Sequence, residues 1–161
     1  MIAQIAKKAM EYDRNDAKNI QHFLSVHSYA ALIGKLEEID SDTQLILEIA
    51  ALLHDIGVKV CREKYGRSPG ELQQKEGPAV ARELLHGFSL TPAQVDRICY
   101  LIAHHHIYTD VDGMDYQILI EADFITNLFE GYVKMEQLPA VRSTVFKTKS
   151  GIAVLDDMFG K

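Results

Sequence analysis

Apolar residues recur at steps of three and four along nearly the whole chain, and this period constrains the fold more than any other feature. Ile20, Phe23, Leu24, Tyr29, Ala30 and Ile33 share one face of a segment that Asp16 can cap, which predicts a helix over about 17–38. A first short helix spans 1–13. Ser41 or Asp42 caps a third over about 43–56, which Gly57 closes. Residues 60–74 carry Gly66, Pro69 and Gly70 and read as an ordered loop. A fourth helix covers about 76–86, with Pro78 in its first turn and Gly87 after its end. Thr91-Pro92 opens a fifth, about 92–106. A loop at 107–114 leads to a sixth, about 115–130, and the tail at about 140–159 holds two short helical turns. There is no repeat, low-complexity tract or inter-domain linker. The pattern predicts an all-α chain, a compact single-domain helical bundle with about six main helices.

A length of 161 residues, 47% of them hydrophobic, fits one domain with a sizeable core. The formal net charge of −6 leaves no basic footprint, so no nucleic acid polymer is expected as a partner. A small phosphorylated substrate stays open, since it needs only a local positive site. Cys61 and Cys99 are expected to be reduced thiols in a chain that folds without staples, which points to a cytoplasmic protein. The N-terminal residues lack the apolar core of a signal peptide, and no segment approaches the roughly 18 apolar residues of a membrane span. The oligomeric state is not legible.

The chemistry gathers around His54-Asp55, at the end of the apolar run from Leu45 to Leu53. A core helix does not usually end by setting an imidazole and a carboxylate beside its buried face. Both groups are metal ligands. His22 lies on the second helix, with Val26 and Ala30 continuing a packed stripe at four-residue steps. His27 is five residues on and rotated roughly 140° away. His22 is therefore the one expected to point inward. On the sixth helix, Asp123 sits inside the apolar stretch Ile118 to Ile125, where a carboxylate needs a partner or a metal. Glu121, two residues away, points elsewhere and suits a solvated or supporting role. His104, His105 and His106 end the fifth helix and cannot all face one way. His86, directly before Gly87, reads as structural. His22, His54, Asp55 and Asp123 together make a site of two histidines and two aspartates. That donor mix suits Mn, Fe, Co, Ni or Zn better than Ca or Mg. Positions left open for water and a substrate oxygen would allow attack by metal-bound water.

These segments resemble the HD-domain superfamily of metal-dependent phosphohydrolases. His22-x3-Val26-x3-Ala30 is similar to its first-histidine segment, Leu52-Leu53-His54-Asp55-Ile56-Gly57 to its central signature, and Asp123 in Glu-Ala-Asp-Phe to its closing aspartate. Lys64-Tyr65-Gly66, Gln74 to Pro78, His105-His106-x-Tyr108 and Asp115 to Asp123 resemble a subgroup of small single-domain bacterial members. The resemblance core covers about 16–130, within one domain at 1–161 whose residues 131–161 form a C-terminal extension packed on it. The resemblance implies an all-α fold, a divalent transition metal held by His22, His54, Asp55 and Asp123, and hydrolysis of a phosphomonoester or phosphodiester, often of a nucleotide. It makes Asp55 a catalytic residue that orients the attacking water.

Two-metal members carry a further histidine near the start of the helix after the signature. Here Gln73 or Gln74 stands there, so one ion is expected rather than two. The pair His105-His106 remains, and either can bind substrate phosphate or act as general acid. The Gly-Tyr-Pro element of members that sense cyclic dinucleotides is replaced by Ile107-Tyr108-Thr109, which does not support that specificity. The basic residue after the signature is displaced, with Val58 first and Lys59 following. Lys59, Lys64 and Arg67 are candidate phosphate contacts. The leading expectation is a phosphohydrolase acting on a small phosphorylated metabolite, with nucleotides foremost. The alternatives are a non-catalytic metal- and ligand-binding HD regulatory module and a di-iron oxygenase on the same fold.

Overall fold

The fold is built round a helix that is buried on nearly every side. In the computed structural model, which describes residues 1–160, this is α3 (Ser41–Leu53), and every residue from Ile46 to Leu53 is buried. Such a helix has no solvent face and must be enclosed by others. On one flank α2 (Ala17–Leu36) and α7 (Met114–Glu130) pack against it and against each other. On the other, α6 (Pro92–His104) packs on α3, α5 (Gly70–Leu85) on α6, and α4 (Gly57–Tyr65) on α5. The first helix, α1 (Ile2–Tyr12), lies across α3 and α5. The chain ends in α8 (Leu138–Thr144) and α9 (Lys149–Phe159), and α9 packs on α2 and α7. Among the described residues there is no strand, and no helix is long and apolar enough to cross a membrane. Cys61 and Cys99 are buried free thiols.

The helix caps mostly follow the sequence. The Asp16 side chain accepts from the Asn19 amide, and Thr91 forms a reciprocal capping box with Gln94. The third helix differs: its cap is Asp40, one residue before Ser41, whose carboxylate accepts from the amides of Asp42 and Thr43 at 3.0 Å.

The region from Gly57 to Gln74 departs furthest from the sequence reading. Gly57 does not close a helix; it opens α4. Residues 60–74 are not one loop, because α4 runs to Tyr65 and α5 begins at Gly70. Only Gly57, Val58 and Cys61 are buried along α4, a stripe too short for a periodic signal. Glycine is required at 57 by proximity: a Cβ there would meet the Gln73 carbonyl oxygen at 2.7 Å and the Gly77 nitrogen at 3.0 Å, both rigid backbone. Pro78 is mid-helix rather than in a first turn. It forfeits the hydrogen bond to the Gln74 carbonyl, and packing of the adjacent Gly77 against Ile102 and Gly57 holds the helix through it. The tail holds more than short turns, since α9 is eleven residues long.

Candidate metal centre

His54 and Asp55 occupy the tight corner between α3 and α4, where the Ile56 amide bonds back to Leu53 and the Val58 amide to Asp55. The corner turns both side chains toward His22 on α2 and Asp123 on α7. The four residues therefore meet at one point from separate parts of the sequence. His22 Nε2 lies 3.1 Å from His54 Nε2, 3.2 Å from Asp123 Oδ1 and 3.5 Å from Asp55 Oδ2. His54 Nε2 lies 3.6 Å from both Asp55 Oδ2 and Asp123 Oδ1. An ion with ligand bonds of about 2.1 Å requires donor separations of about 3.0 Å (octahedral) to 3.4 Å (tetrahedral). The observed separations are close to that range.

The ring orientations fit the same conclusion. The His54 Nδ1 proton goes to the Ala51 carbonyl at 2.8 Å, and the His22 Nδ1 proton to Glu130 Oε2 at 2.8 Å. A carbonyl or carboxylate can only accept, so each Nδ1 carries hydrogen and each Nε2 offers its lone pair in the neutral ring. Such outer partners fix the tautomer of a metal-binding histidine. The Asn127 amide donates to Asp123 Oδ1 at 2.8 Å and aims that carboxylate. Two facing imidazole nitrogens, the buried Asp123 carboxylate and the half-buried Asp55 carboxylate repel one another unless something positive lies between them. Burial alone would lower the His22 pKa, but Asp123, Asp55 and Glu130 overturn this and raise it to about 9. His54 is raised too, chiefly by Asp55 and Asp123 against burial. Burial would raise Asp55 and Asp123, yet the facing histidines hold both below the ordinary carboxylate range. Two imidazole nitrogens and two carboxylates directed at one point are a donor set that fits a divalent transition metal.

Asp55 faces two ways. Its Oδ2 belongs to the cluster above, while Oδ1 lies 3.3 Å from His105 Nε2. His105 is buried, its Nδ1 proton is given to the Ile102 carbonyl at 2.8 Å, and its Nε2 has no hydrogen-bond partner. His106 packs its ring against His105, with Nε2 3.3 Å from Gln73 Oε1. Burial, and then His105, lower the His106 pKa to about 4. Asp55, His105 and His106 form a second group of ligand-capable residues. His104 turns away: its ring stacks on Tyr100, and Nδ1 donates to the Tyr100 carbonyl. His27 is half-buried and pairs with Glu48 at 3.0 Å, outside the site.

The cluster forms the floor of a cavity of about 250 Å³, with Asp16, Lys18, Arg62, Ser68, Gln73 and Tyr132 among its lining residues. The suggested phosphate contacts are placed elsewhere. Lys59 Nζ donates to the Tyr12 carbonyl at 2.6 Å, and Lys64 pairs with Glu76 at 2.6 Å. Arg67 is exposed and does not line the cavity. For the two lysines the reason is the unexpected α4, which turns them off the face that Val58 and Arg62 present to the cavity, while Arg67 lies past its end. Lys18 and Arg62 were overlooked, although a signal existed. Lys18 lies four residues before His22 and Arg62 four after Val58, the spacing of shared helix faces. Glu121 is also corrected: it is fully buried rather than solvated, and it ties the tail to α7.

A family model described as HD domain matches residues 19–142, which include all the residues of both ligand groups. No curated protein and no solved structure matches the chain. With most of its length matched, and with paired histidines and aspartates converging on one point, the chain belongs to the HD-domain family.

Proposed function

We propose that this chain is a metal-dependent phosphohydrolase acting on a small phosphorylated metabolite, with nucleotides the leading class. One observation carries the reading: His22, His54, Asp55 and Asp123 bring their donor atoms within 3.1–3.6 Å of one another across the measured pairs, with both ring tautomers set for ligation. These residues would hold the ion, which when bound polarises a phosphoryl oxygen and makes a water more acidic. Asp55 Oδ1, the oxygen turned away from His22 and His54, orients the attacking water and accepts its proton. His105 Nε2, bare and 3.3 Å away, stands ready to relay that proton. His106 and Gln73 form the adjacent wall, where Gln73 Nε2, with one hydrogen given to the Ser68 carbonyl, has the other to donate to a phosphoryl oxygen. The polar lining suits a phosphorylated ligand over an apolar one.

The test is a phosphatase screen over a metabolite panel with added Mn, Co, Ni or Fe, comparing wild type with Asp55→Ala. Turnover by wild type and its loss in the variant support the reading. Equal activity of the two proteins, or no turnover of any compound, would sink it. The group Asp55, His105 and His106 favours a second reading, in which a further ion shares Asp55. Metal content per chain decides between one ion and two. Two irons with oxygen-dependent turnover would move the assignment to an oxygenase.

A further inference from the structure

The cavity carries two cationic side chains, Lys18 from the first turn of α2 and Arg62 from α4, which enter from different helices. Neither is turned down onto the buried carboxylates of the floor. Arg62 Nη1 reaches Asp16 Oδ2 at 2.8 Å, and Lys18 Nζ lies 4.7 Å from the centre of the Tyr132 ring. Asp16 is itself held by the Asn19 amide, so the ion pair is anchored beside the rim. Both resting contacts are weak. Arg62 is 58% exposed, and water and salt screen an ion pair that open to solvent. The Lys18–Tyr132 contact is a fully solvated cation–π contact, the weak kind. An anion entering the cavity can therefore displace them, gaining a guanidinium fork and an ammonium point charge. The other nearby lysines do not compete, since Lys59 and Lys64 are spent on Tyr12 and Glu76.

A phosphoryl group bound at the buried floor would leave this rim pair for a second anionic group. We propose that Lys18 and Arg62 form a subsite for a second phosphoryl group, so that the substrate carries two: a nucleoside diphosphate or another diphosphate rather than a simple monoester. The proposal rests on the phosphohydrolase reading for the first group and specifies the substrate class of that site.

Imidodiphosphate, which resists hydrolysis, and orthophosphate are titrated calorimetrically into the full chain, with and without Mn(II). Wild type should bind imidodiphosphate more tightly than orthophosphate. In the double variant Lys18→Gln/Arg62→Gln, imidodiphosphate affinity should fall about tenfold or more, the scale of losing one or two charge-assisted contacts, and the two probes should converge. Lys18→Arg should retain most of the affinity, and Arg62→Lys, which keeps the charge but loses the fork, should fall between wild type and the double variant. Lys59→Gln should bind within about twofold of wild type, reporting that charge loss off the cavity does not matter. Equal wild-type affinity for the two probes, retained imidodiphosphate binding in the double variant, or parallel loss of both probes would each overturn the subsite. If Mn(II) fails to bind while imidodiphosphate binding still depends on Lys18 and Arg62, the metal reading fails and the subsite stands. If monoesters are hydrolysed with no preference for the diphosphate probe, the reverse holds.

Discussion

Asp123 and Glu121 lie two residues apart on α7, both are buried, and they do opposite things. Glu121 is saturated with donors: Gln117 Nε2 at 2.7 Å, the Lys147 amide at 2.7 Å, the Thr148 amide at 2.9 Å and the Thr148 hydroxyl at 2.5 Å. It is a strut that fastens the start of α9 to α7. Asp123 has one conventional donor, Asn127, and otherwise faces imidazole nitrogens. Asp13 is a third case, 3% exposed, with the Asn19 side-chain amide at 2.6 Å as its side-chain donor. Burial raises its pKa to about 6. Burial of a carboxylate therefore says little about function. What separates a strut from a site is whether the neighbours donate protons or offer lone pairs.

Substitutions can break this comparison. The largest effect should come from Asp123→Ala, which removes a proposed ligand and leaves the strut intact. Bound metal should disappear in elemental analysis, and phosphatase turnover should fall by about 10³-fold, the scale of losing one preorganised electrostatic group. Full metal occupancy in that variant would remove Asp123 from the site. Glu121→Ala should do the converse. It strands buried amides and a hydroxyl, so chemical denaturation should show a loss of about 3 kcal/mol, with metal content of the folded protein unchanged.

Gly151→Ala sharpens the same contrast without touching a charge. A Cβ there would collide with the Glu121 carboxylate and with Thr148 Oγ1. Both are locked in the strut, so we expect a loss of about 2 kcal/mol, a drop of about 6 °C in melting temperature. A neutral result would show that the strut yields easily. The smallest effect concerns Asp13. Its folded pKa of about 6 lies above the ordinary aspartate value, so the folded chain holds the proton more tightly than the unfolded one. Ionisation then costs stability as pH rises through that window, and none of the cost is present below it. Asp13→Asn should raise the melting temperature at pH 7.5 and leave it unchanged at pH 3. A gain that persists at pH 3 would show that charge is not the cause.

The sequence was most legible where a signal is local and repeated. The stripe through His22, Val26 and Ala30 told the inward histidine from His27, because five residues of helix rotate a side chain off the buried face. The caps at Asp16 and Thr91 were legible for the same reason. The stretch after Gly57 was not, since α4 buries so little of itself, and reading it as a loop carried Lys59 and Lys64 to a rim they do not line. Glu121 was misjudged because its partners lie some 26 residues further along. Helix periodicity says which face is buried but not what lies across from it.

By itself, then, the sequence determined an all-helical chain and the residue types able to hold a metal, because helix period and ligand chemistry are properties of short segments. Only the tertiary structure decided that His22, His54, Asp55 and Asp123 share one point while Glu121 serves as a strut. It alone placed Lys18 and Arg62, rather than the lysines of α4, at the cavity. Those outcomes depend on how helices far apart in sequence are stacked, and a rotation of about 100° per residue sends neighbouring side chains to different neighbours.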